Sequence, residues 1–141
     1  MSRSGPSADF TVFAPDLPER RLVVELKRRG FDRAGALAQM KSYMLASNCP
    51  IGLIFTPELT WLLRDTYEGE DSIRETGIYP TATLLGIANV PEDEREFQSI
   101  VERWLESLTS GSSDNLNEEV RWDVARYVLP AVADGRVVAE H

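Results

Sequence analysis

The stretch Arg21-Leu-Val-Val-Glu-Leu-Lys27 decides the fold prediction, because it is apolar enough on both faces to form a mostly buried strand. It is preceded by Asp9-Phe-Thr-Val-Phe-Ala14, in which apolar and polar residues alternate as they do in a strand. Between the two, Pro15 to Glu19 has the composition of a turn, with two prolines that a central strand does not tolerate. The two segments are therefore predicted to form a β-hairpin.

A helix and two further strands are predicted directly after the hairpin. Asp32 is a candidate N-cap for a helix over residues 33–47. Strands are predicted at 51–56 and 59–64, with a short turn between them. A helix that connects two strands of one sheet favours a parallel, right-handed crossover. The apolar stripe predicted for the helix consists of Ala34, Leu37, Ala38, Met44 and Leu45.

The rest of the chain is predicted to be mainly helical. In chain order we expect a polar, acidic loop at 65–79, a short helix at 80–87, a long helix at 92–108, a flexible break at 109–114 and a last helix at 116–132 that Pro130 kinks or ends. The predicted organisation is a flexible arm at 1–8, an α/β core at 9–90 and a C-terminal helical region at 91–141 that packs on the core. Trp61 and Trp104 are predicted core residues, whereas Trp122 lies off its helix stripe and is a candidate interface residue.

Composition limits the chemistry available to these 141 residues, which are enough for one domain. A single cysteine, Cys49, excludes an intrachain disulfide and a cysteine-rich zinc site, and fits a reducing cytoplasm. The single histidine, His141, is terminal, so the usual Ser/His/Asp and Cys/His arrangements are excluded. No apolar run reaches the roughly 20 residues that span a bilayer, and the first residues lack the apolar segment of a secretory signal. Carboxylates, lysine, amides and hydroxyls must therefore supply any chemistry.

Charge is distributed unevenly along the chain, whose formal net charge is -8. Residues 1–47 carry eight Lys/Arg against five Asp/Glu, whereas residues 48–141 carry seven against eighteen. Such asymmetry is typical of a protein with one end facing a polyanion. An ordinary solvated face is an equally good explanation. The basic residues concerned are Arg20, Arg21, Arg28, Arg29, Arg33 and Lys41, which are either phosphate contacts or the rim of a hairpin.

Three charged residues of the hairpin are predicted to meet at one point. Glu25 and Lys27 are two apart in a strand and so project from the same face. If the hairpin turns around Leu17, Asp9 falls opposite Glu25, at the roughly 5 Å spacing of paired positions. Asp16 lies in the turn instead, about 20 Å or more from Glu25. Asp9 is therefore the better candidate partner, although an exposed ion pair at a strand end would also explain Glu25 and Lys27.

Two neighbouring carboxylates repel each other and favour a cation between them. Ligation by oxygen alone suits Mg²⁺ or Mn²⁺, with waters and a substrate phosphate completing the shell. A lysine beside such an ion can orient or deprotonate an attacking water. A cluster of Asp9, Glu25 and Lys27 is thus chemically suited to phosphodiester hydrolysis.

Asp9, then Glu25-Leu26-Lys27, then Gln39-Met-Lys-Ser-Tyr43 on a helix resembles the PD-(D/E)XK nuclease superfamily. The Gln-x-x-x-Tyr element is similar to that of its RecB-like branch and of the nuclease segment of type I restriction motor subunits. The resemblance implies a restriction-endonuclease-like mixed β-sheet core and a DNA substrate. It also implies that Asp9, Glu25 and the Leu26 carbonyl bind the metal. Lys27 would be the catalytic lysine, and Gln39 and Tyr43 would lean over the site on one helical face.

The resemblance covers roughly 50 residues and departs from the family pattern at its start. The family core usually begins with a helix and a strand before the motif aspartate, but only eight residues precede Asp9. Either these elements are missing, or a C-terminal helix or a second subunit replaces them. A homo-oligomer or a partner subunit that completes the core is therefore expected.

Three functional hypotheses follow. The first is a metal-dependent nuclease or nuclease-like protein acting on DNA. The second is a catalytically silent nuclease-fold scaffold or binding subunit. The short segment before Asp9 and the overall acidity of the chain favour it. The third is an unrelated α+β interaction module, which is favoured if the hairpin register does not place Asp9 opposite Glu25.

Overall fold

The computed structural model describes residues 9–111 and 123–140 of the chain. The predicted arm at 1–8, Trp122 and parts of the break and of the last predicted helix lie outside these residues. In chain order the elements are β1 (Phe10–Phe13), β2 (Arg20–Leu26), α1 (Arg33–Ser47), β3 (Ile51–Phe55), β4 (Leu59–Asp65), β5 (Ile73–Pro80), α2 (Thr81–Leu85), α3 (Glu94–Thr109), a π-helical turn (Val124–Val128) that continues as α4 (Leu129–Val132), and β6 (Arg136–Ala139).

The strands form one mixed sheet of six strands in the order β5-β4-β3-β2-β1-β6. Phe10 lies opposite Val24 in the β1–β2 hairpin, which is the predicted register. Near the turn, Val12 lies opposite Leu22 but Phe13 lies opposite Arg20, so Arg21 is an extra residue in β2. β2 and β3 are parallel and α1 connects them, which confirms the predicted parallel crossover. The fold is therefore a mixed α/β structure.

The predicted loop at 65–79 is wrong in its second half, because Ile73–Pro80 forms strand β5 at one edge of the sheet, while residues 66–72 lie outside helices and strands. Ile73 and Tyr79 are buried while Arg74 and Thr76 are exposed. An edge strand with one solvent-facing side needs few apolar residues. The composition of this segment therefore resembles that of a polar loop, which is why the strand was not predicted.

The C-terminal region is not entirely helical, since Arg136–Ala139 forms β6. This strand pairs antiparallel with β1, placing Val137 opposite Val12 and Val138 opposite Thr11. The edge of β1 is therefore covered by a strand of the same chain. Four residues at the end of the chain are too few for a periodic signal.

Each face of the sheet is covered by helices and buries its own apolar cluster. α1 covers one face, and α2, α3 and α4 cover the other, on which the larger cluster lies. Trp61 belongs to the α1 cluster and Trp104 to the larger one, and both are buried as predicted. α3 begins at the N-cap Asp93, whose side chain accepts from the Glu96 N–H. Its buried residues are Phe97, Val101, Trp104, Leu105 and Leu108.

The apolar stripe of α1 differs from the predicted one. Ala34, Ala38 and Leu45 are exposed, and Leu45 is 57% exposed. The buried stripe is Ala36, Met40 and Met44, with Leu37 and Tyr43 packed beside it. Gly52 of β3 explains the choice: a Cβ there would lie 2.8 Å from the Met44 sulfur and 3.0 Å from the Met40 sulfur. The glycine allows the two long methionines to approach the sheet closely.

Candidate metal and phosphodiester site at the carboxyl end of β2

Asp9 lies directly before β1 and is held from two sides. Its backbone N–H donates to the Val24 carbonyl at 2.9 Å, and its carbonyl accepts from the Glu140 N–H at 2.9 Å. One of its carboxylate oxygens accepts from the Leu26 N–H at 2.7 Å. Val24 and Leu26 are the chain neighbours of Glu25, so these contacts place Asp9 beside Glu25. The Asp9 carboxylate is therefore fixed at the carboxyl end of β2.

Glu25 and Lys27 form an ion pair on the α1 face of the sheet. The Lys27 Nζ lies 2.9 Å from a Glu25 carboxylate oxygen, and the two side chains are 29% and 13% exposed. The Lys27 N–H donates to the Phe55 carbonyl at 2.7 Å, which continues the parallel β2–β3 ladder. The pair thus sits where two parallel strands end, a common place for ligand sites in α/β proteins.

The electrostatics of Glu25 reflect its burial and its neighbours. Burial raises the pKa of the Glu25 carboxyl, the hydrogen bond and charge of Lys27 lower it, and the charge of Asp9 raises it further. Asp9 is therefore close enough to act on Glu25 electrostatically. The structure brings Asp9, Glu25 and Lys27 together, as the hairpin register predicts.

The donor groups around Asp9 fit a hard divalent cation. The Leu26 N–H points to Asp9, and the N–H and C=O of one strand residue point to the same side, so the Leu26 carbonyl also lies on the Asp9 side of β2. Among residues 9–111 and 123–140, no group of three His, Cys, Asp or Glu side chains is placed to hold a metal. Mg²⁺, however, is commonly bound through one or two carboxylates while it keeps several waters. Two carboxylates and a carbonyl are oxygen donors of the kind that Mg²⁺ and Mn²⁺ take.

Gln39 lies near Lys27 of the charged group, whereas the hydroxyl of Tyr43 is bonded elsewhere. Gln39 and Lys27 line one small cavity of about 150 Å³. The Tyr43 hydroxyl accepts instead from the Arg20 Nε at 3.2 Å. Arg20 begins β2, five residues before Glu25 and therefore about 16 Å along the strand. Because α1 runs back along the crossover, each further helical turn moves a side chain about 5.4 Å away from the site.

The basic residues around the site are paired with acids rather than presented as an open cationic patch. Arg28, Arg29, Arg33 and Lys41 all pair with carboxylates from the second, acidic part of the chain. The pairs are Arg28 with Glu94 at 3.1 Å, Arg29 with Glu58 and with Glu92 at 3.6 Å, Arg33 with Glu75 at 2.7 Å, and Lys41 with Asp71 at 3.9 Å. Arg20 stacks on Phe13 at 5.4 Å, and Arg21 pairs with Glu19 at 3.3 Å. The charge asymmetry along the sequence is thus largely balanced in space.

Two other titratable groups have raised pKa values for structural reasons. Burial raises the pKa of the Cys49 thiol to about 11, and its sulfur contacts the Ile51 carbonyl. A buried thiol with so little thiolate at neutral pH is a poor nucleophile. Burial and the hydrogen bond to Asp123 raise the pKa of the Tyr79 hydroxyl. Neither group lies in the Asp9–Glu25–Lys27 cluster.

Sequence reasoning missed a cleft on the other side of the β2 end. It has a volume of about 420 Å³ and lies between the end of β2, the β3–β4 turn and the start of α3. Pro57, Glu92, Glu94 and Phe97 line it together with residues 26–29. These segments are far apart in the chain, so only the sheet topology brings them together.

Comparisons of the chain with models of protein families, with curated proteins and with solved structures find no match. None of the helices in the described parts of the chain is long and apolar enough to cross a membrane.

Proposed function

We propose that the protein is a metal-dependent nuclease or nuclease-like protein of the PD-(D/E)XK type that hydrolyses phosphodiester bonds of DNA. The observation that carries the proposal is the joint placement of three side chains at the end of β2. The Asp9 carboxylate is fixed by the Leu26 N–H, and the largely buried Glu25 carboxylate is paired with Lys27 at 2.9 Å. Two carboxylates and one amine at one point match the chemistry of phosphodiester hydrolysis.

Each residue of the group has a role that its contacts support. A Mg²⁺ or Mn²⁺ ion held by Asp9, Glu25 and the Leu26 carbonyl would act as a Lewis acid on the phosphate and lower the pKa of a bound water. The Leu26 N–H orients the Asp9 carboxylate. The Lys27 ammonium orients the attacking water and offsets negative charge that develops on the phosphate oxygens.

The surrounding elements support the same proposal. α1 follows Lys27 and places Gln39 on the same small cavity, so its amide can hydrogen bond to substrate or to water at the site. β6 covers the edge of β1 and supports Asp9 through the Glu140 N–H.

Cleavage of labelled DNA, both duplex and single-stranded, tests the proposal. We expect cleavage in Mn²⁺ or Mg²⁺, none in excess chelator, and recovery when metal is restored. Asp9→Asn is expected to remove the activity, whereas Asp16→Asn, a substitution in the exposed hairpin turn, is the matched control and is expected to keep it. Cleavage that continues in chelator would rule this mechanism out.

A second candidate is a catalytically silent scaffold or binding subunit in an oligomer or hetero-complex. It is favoured by the ion pairs that occupy Arg28, Arg29 and Arg33, since these cations already have carboxylate partners. This candidate predicts a stable oligomer or complex by light scattering and no heat of Mn²⁺ binding in calorimetry. A measured Mn²⁺ site that Asp9→Asn abolishes would count against it.

A further inference from the structure

The cleft between the end of β2 and the start of α3 adjoins the candidate site. Leu26 and Lys27 belong to both. They line the cleft, and at the candidate site the Leu26 N–H donates to Asp9 and the Lys27 ammonium pairs with Glu25. A ligand in the cleft would therefore contact Lys27, the one residue of the charged group that lines it. Its lining residues are Leu26, Lys27, Arg28, Arg29, Pro57, Glu92, Glu94 and Phe97.

The size of the cleft limits what can enter it. A volume of about 420 Å³ lies in the range of small-ligand pockets, roughly 300–1,000 Å³. A base pair in a duplex is stacked between its neighbours and cannot enter such a space. A single nucleotide can, provided that it is unpaired and unstacked.

The chemistry of the lining matches the parts of a nucleotide. Leu26, Pro57 and Phe97 give an apolar floor against which the face of a base can pack. Arginine side chains at the rim bind phosphate oxygens. Carboxylates such as Glu92 and Glu94 accept hydrogen bonds from the exocyclic amino groups of bases.

The rim charges are available for exchange because their present ion pairs are exposed. The Arg28 and Glu94 side chains are 84% and 63% exposed. Arg29 is 57% exposed, and its partners Glu58 and Glu92 are 59% and 81% exposed. Exposed pairs of this kind contribute little to stability. A phosphate can therefore replace the glutamates as the partner of the two arginines.

We infer that this cleft binds an unpaired nucleotide of single-stranded DNA, adjacent to the phosphate at Asp9, Glu25 and Lys27. The inference rests on the proposed function and adds a substrate class to it, namely single strands or strand ends rather than continuous duplex.

The test is fluorescence anisotropy with a short labelled single strand and with the duplex of the same sequence, in chelator and at low salt. We expect the single strand to bind about tenfold more tightly than the duplex. Leu26→Phe, which fills the cleft, and the pair Arg28→Ala/Arg29→Ala are each expected to weaken single-strand binding by about tenfold. Two control variants make the same changes elsewhere on the surface. Leu45→Phe adds a ring on the exposed side of α1, and the pair Arg74→Ala/Arg103→Ala removes two exposed arginines. Neither is expected to change single-strand binding.

Equal or tighter binding of the duplex would overturn the inference, as would a Leu26→Phe variant that binds like Leu45→Phe. If Leu26→Phe does not fold, the arginine pair at the exposed rim decides, because its loss leaves the core intact. The chelator separates this test from catalysis. Metal-dependent cleavage without single-strand preference would support the nuclease proposal and contradict nucleotide binding in the cleft. Single-strand preference without cleavage would support nucleotide binding in the cleft and contradict the nuclease proposal.

Discussion

The two faces of strand β2 differ in what burial does for the protein. On the face toward α3, Leu22 and Val24 are 0% exposed and belong to the larger apolar cluster. On the face toward α1, Val23 is equally buried, but Glu25 and Lys27 follow it toward the carboxyl end. Burial stabilises the fold on the first face and opposes the charge of Glu25 on the second.

This difference indicates that Glu25 and Lys27, at the carboxyl end of β2 on the α1 face, are not there mainly to stabilise the fold. A largely buried ion pair is weak evidence for stabilisation, since desolvation of the two charges offsets their attraction. Asp9 adds a second negative charge to the same place. Packing alone therefore does not explain the arrangement.

Lys27→Met is expected to give the largest effect on activity. A group that stabilises charge in the transition state contributes about 10²–10³-fold to rate, so metal-dependent cleavage should fall by that factor. Because the Glu25 carboxylate also loses its cation, the variant should unfold at a lower temperature than wild type, and cleavage is measured where both proteins are folded. Lys41→Met on α1, where the lysine pairs only loosely with Asp71 at 3.9 Å, is the matched control. Equal activities of the two variants would contradict the role of Lys27.

Leu22→Ala probes the opposite face and is expected to reduce stability. Removing a fully buried leucine costs about 2–5 kcal/mol, from lost transfer free energy and from the cavity left behind. Urea unfolding followed by circular dichroism measures the change. Leu59→Ala in β4 is the control, since Leu59 is 38% exposed and its loss should cost much less. A small loss for Leu22→Ala would mean that β2 is not a central core strand.

Glu25→Gln is expected to stabilise the protein, in contrast to most substitutions of buried residues. Because burial raises the folded-state pKa of Glu25, the folded state binds a proton more tightly than the unfolded state does. The penalty is absent below the unfolded-state pKa of about 4.5, grows as pH rises through the window up to the raised folded-state value, and is constant above it. At neutral pH the variant should unfold at a higher temperature than wild type.

Thermal melts of wild type and Glu25→Gln across acidic to neutral pH check this prediction. The two curves should converge at the acidic end and separate as pH rises. A variant that is less stable at neutral pH would show that the pair with Lys27 stabilises the fold, which would remove the distinction between the two faces.

Arg28→Ala is expected to have the smallest effect on stability, within about 0.5 kcal/mol, because its pair with Glu94 is exposed. Urea unfolding at low and high salt checks it. A loss above about 1 kcal/mol would mean that the Arg28–Glu94 contact holds α3 against the end of β2, and the cleft would then be a structural joint.

Much of the fold could be predicted from local sequence, but its two sheet edges could not. The hairpin register, α1, the parallel crossover and α3 carry strong local signals in strand alternation, the Asp32 cap and helical periodicity. β5 and β6 have weak patterns because each is an edge strand with an exposed side.

The candidate site divides in the same way. Asp9, Glu25 and Lys27 follow from strand geometry alone, so their convergence could be predicted. The position of the Tyr43 hydroxyl depends on how α1 docks, which Gly52 in another element controls. The glutamates that pair with Arg28 and Arg29 come from distant segments, so the sequence showed only an imbalance of charge.

Mn²⁺ titration by isothermal calorimetry, on wild type, Asp9→Asn and Asp16→Asn, tests most directly whether the end of β2 holds a divalent ion. The expected result is one binding site in wild type and in Asp16→Asn and none in Asp9→Asn. Binding that survives Asp9→Asn, or no binding in wild type, would contradict the metal site on which the nuclease proposal depends.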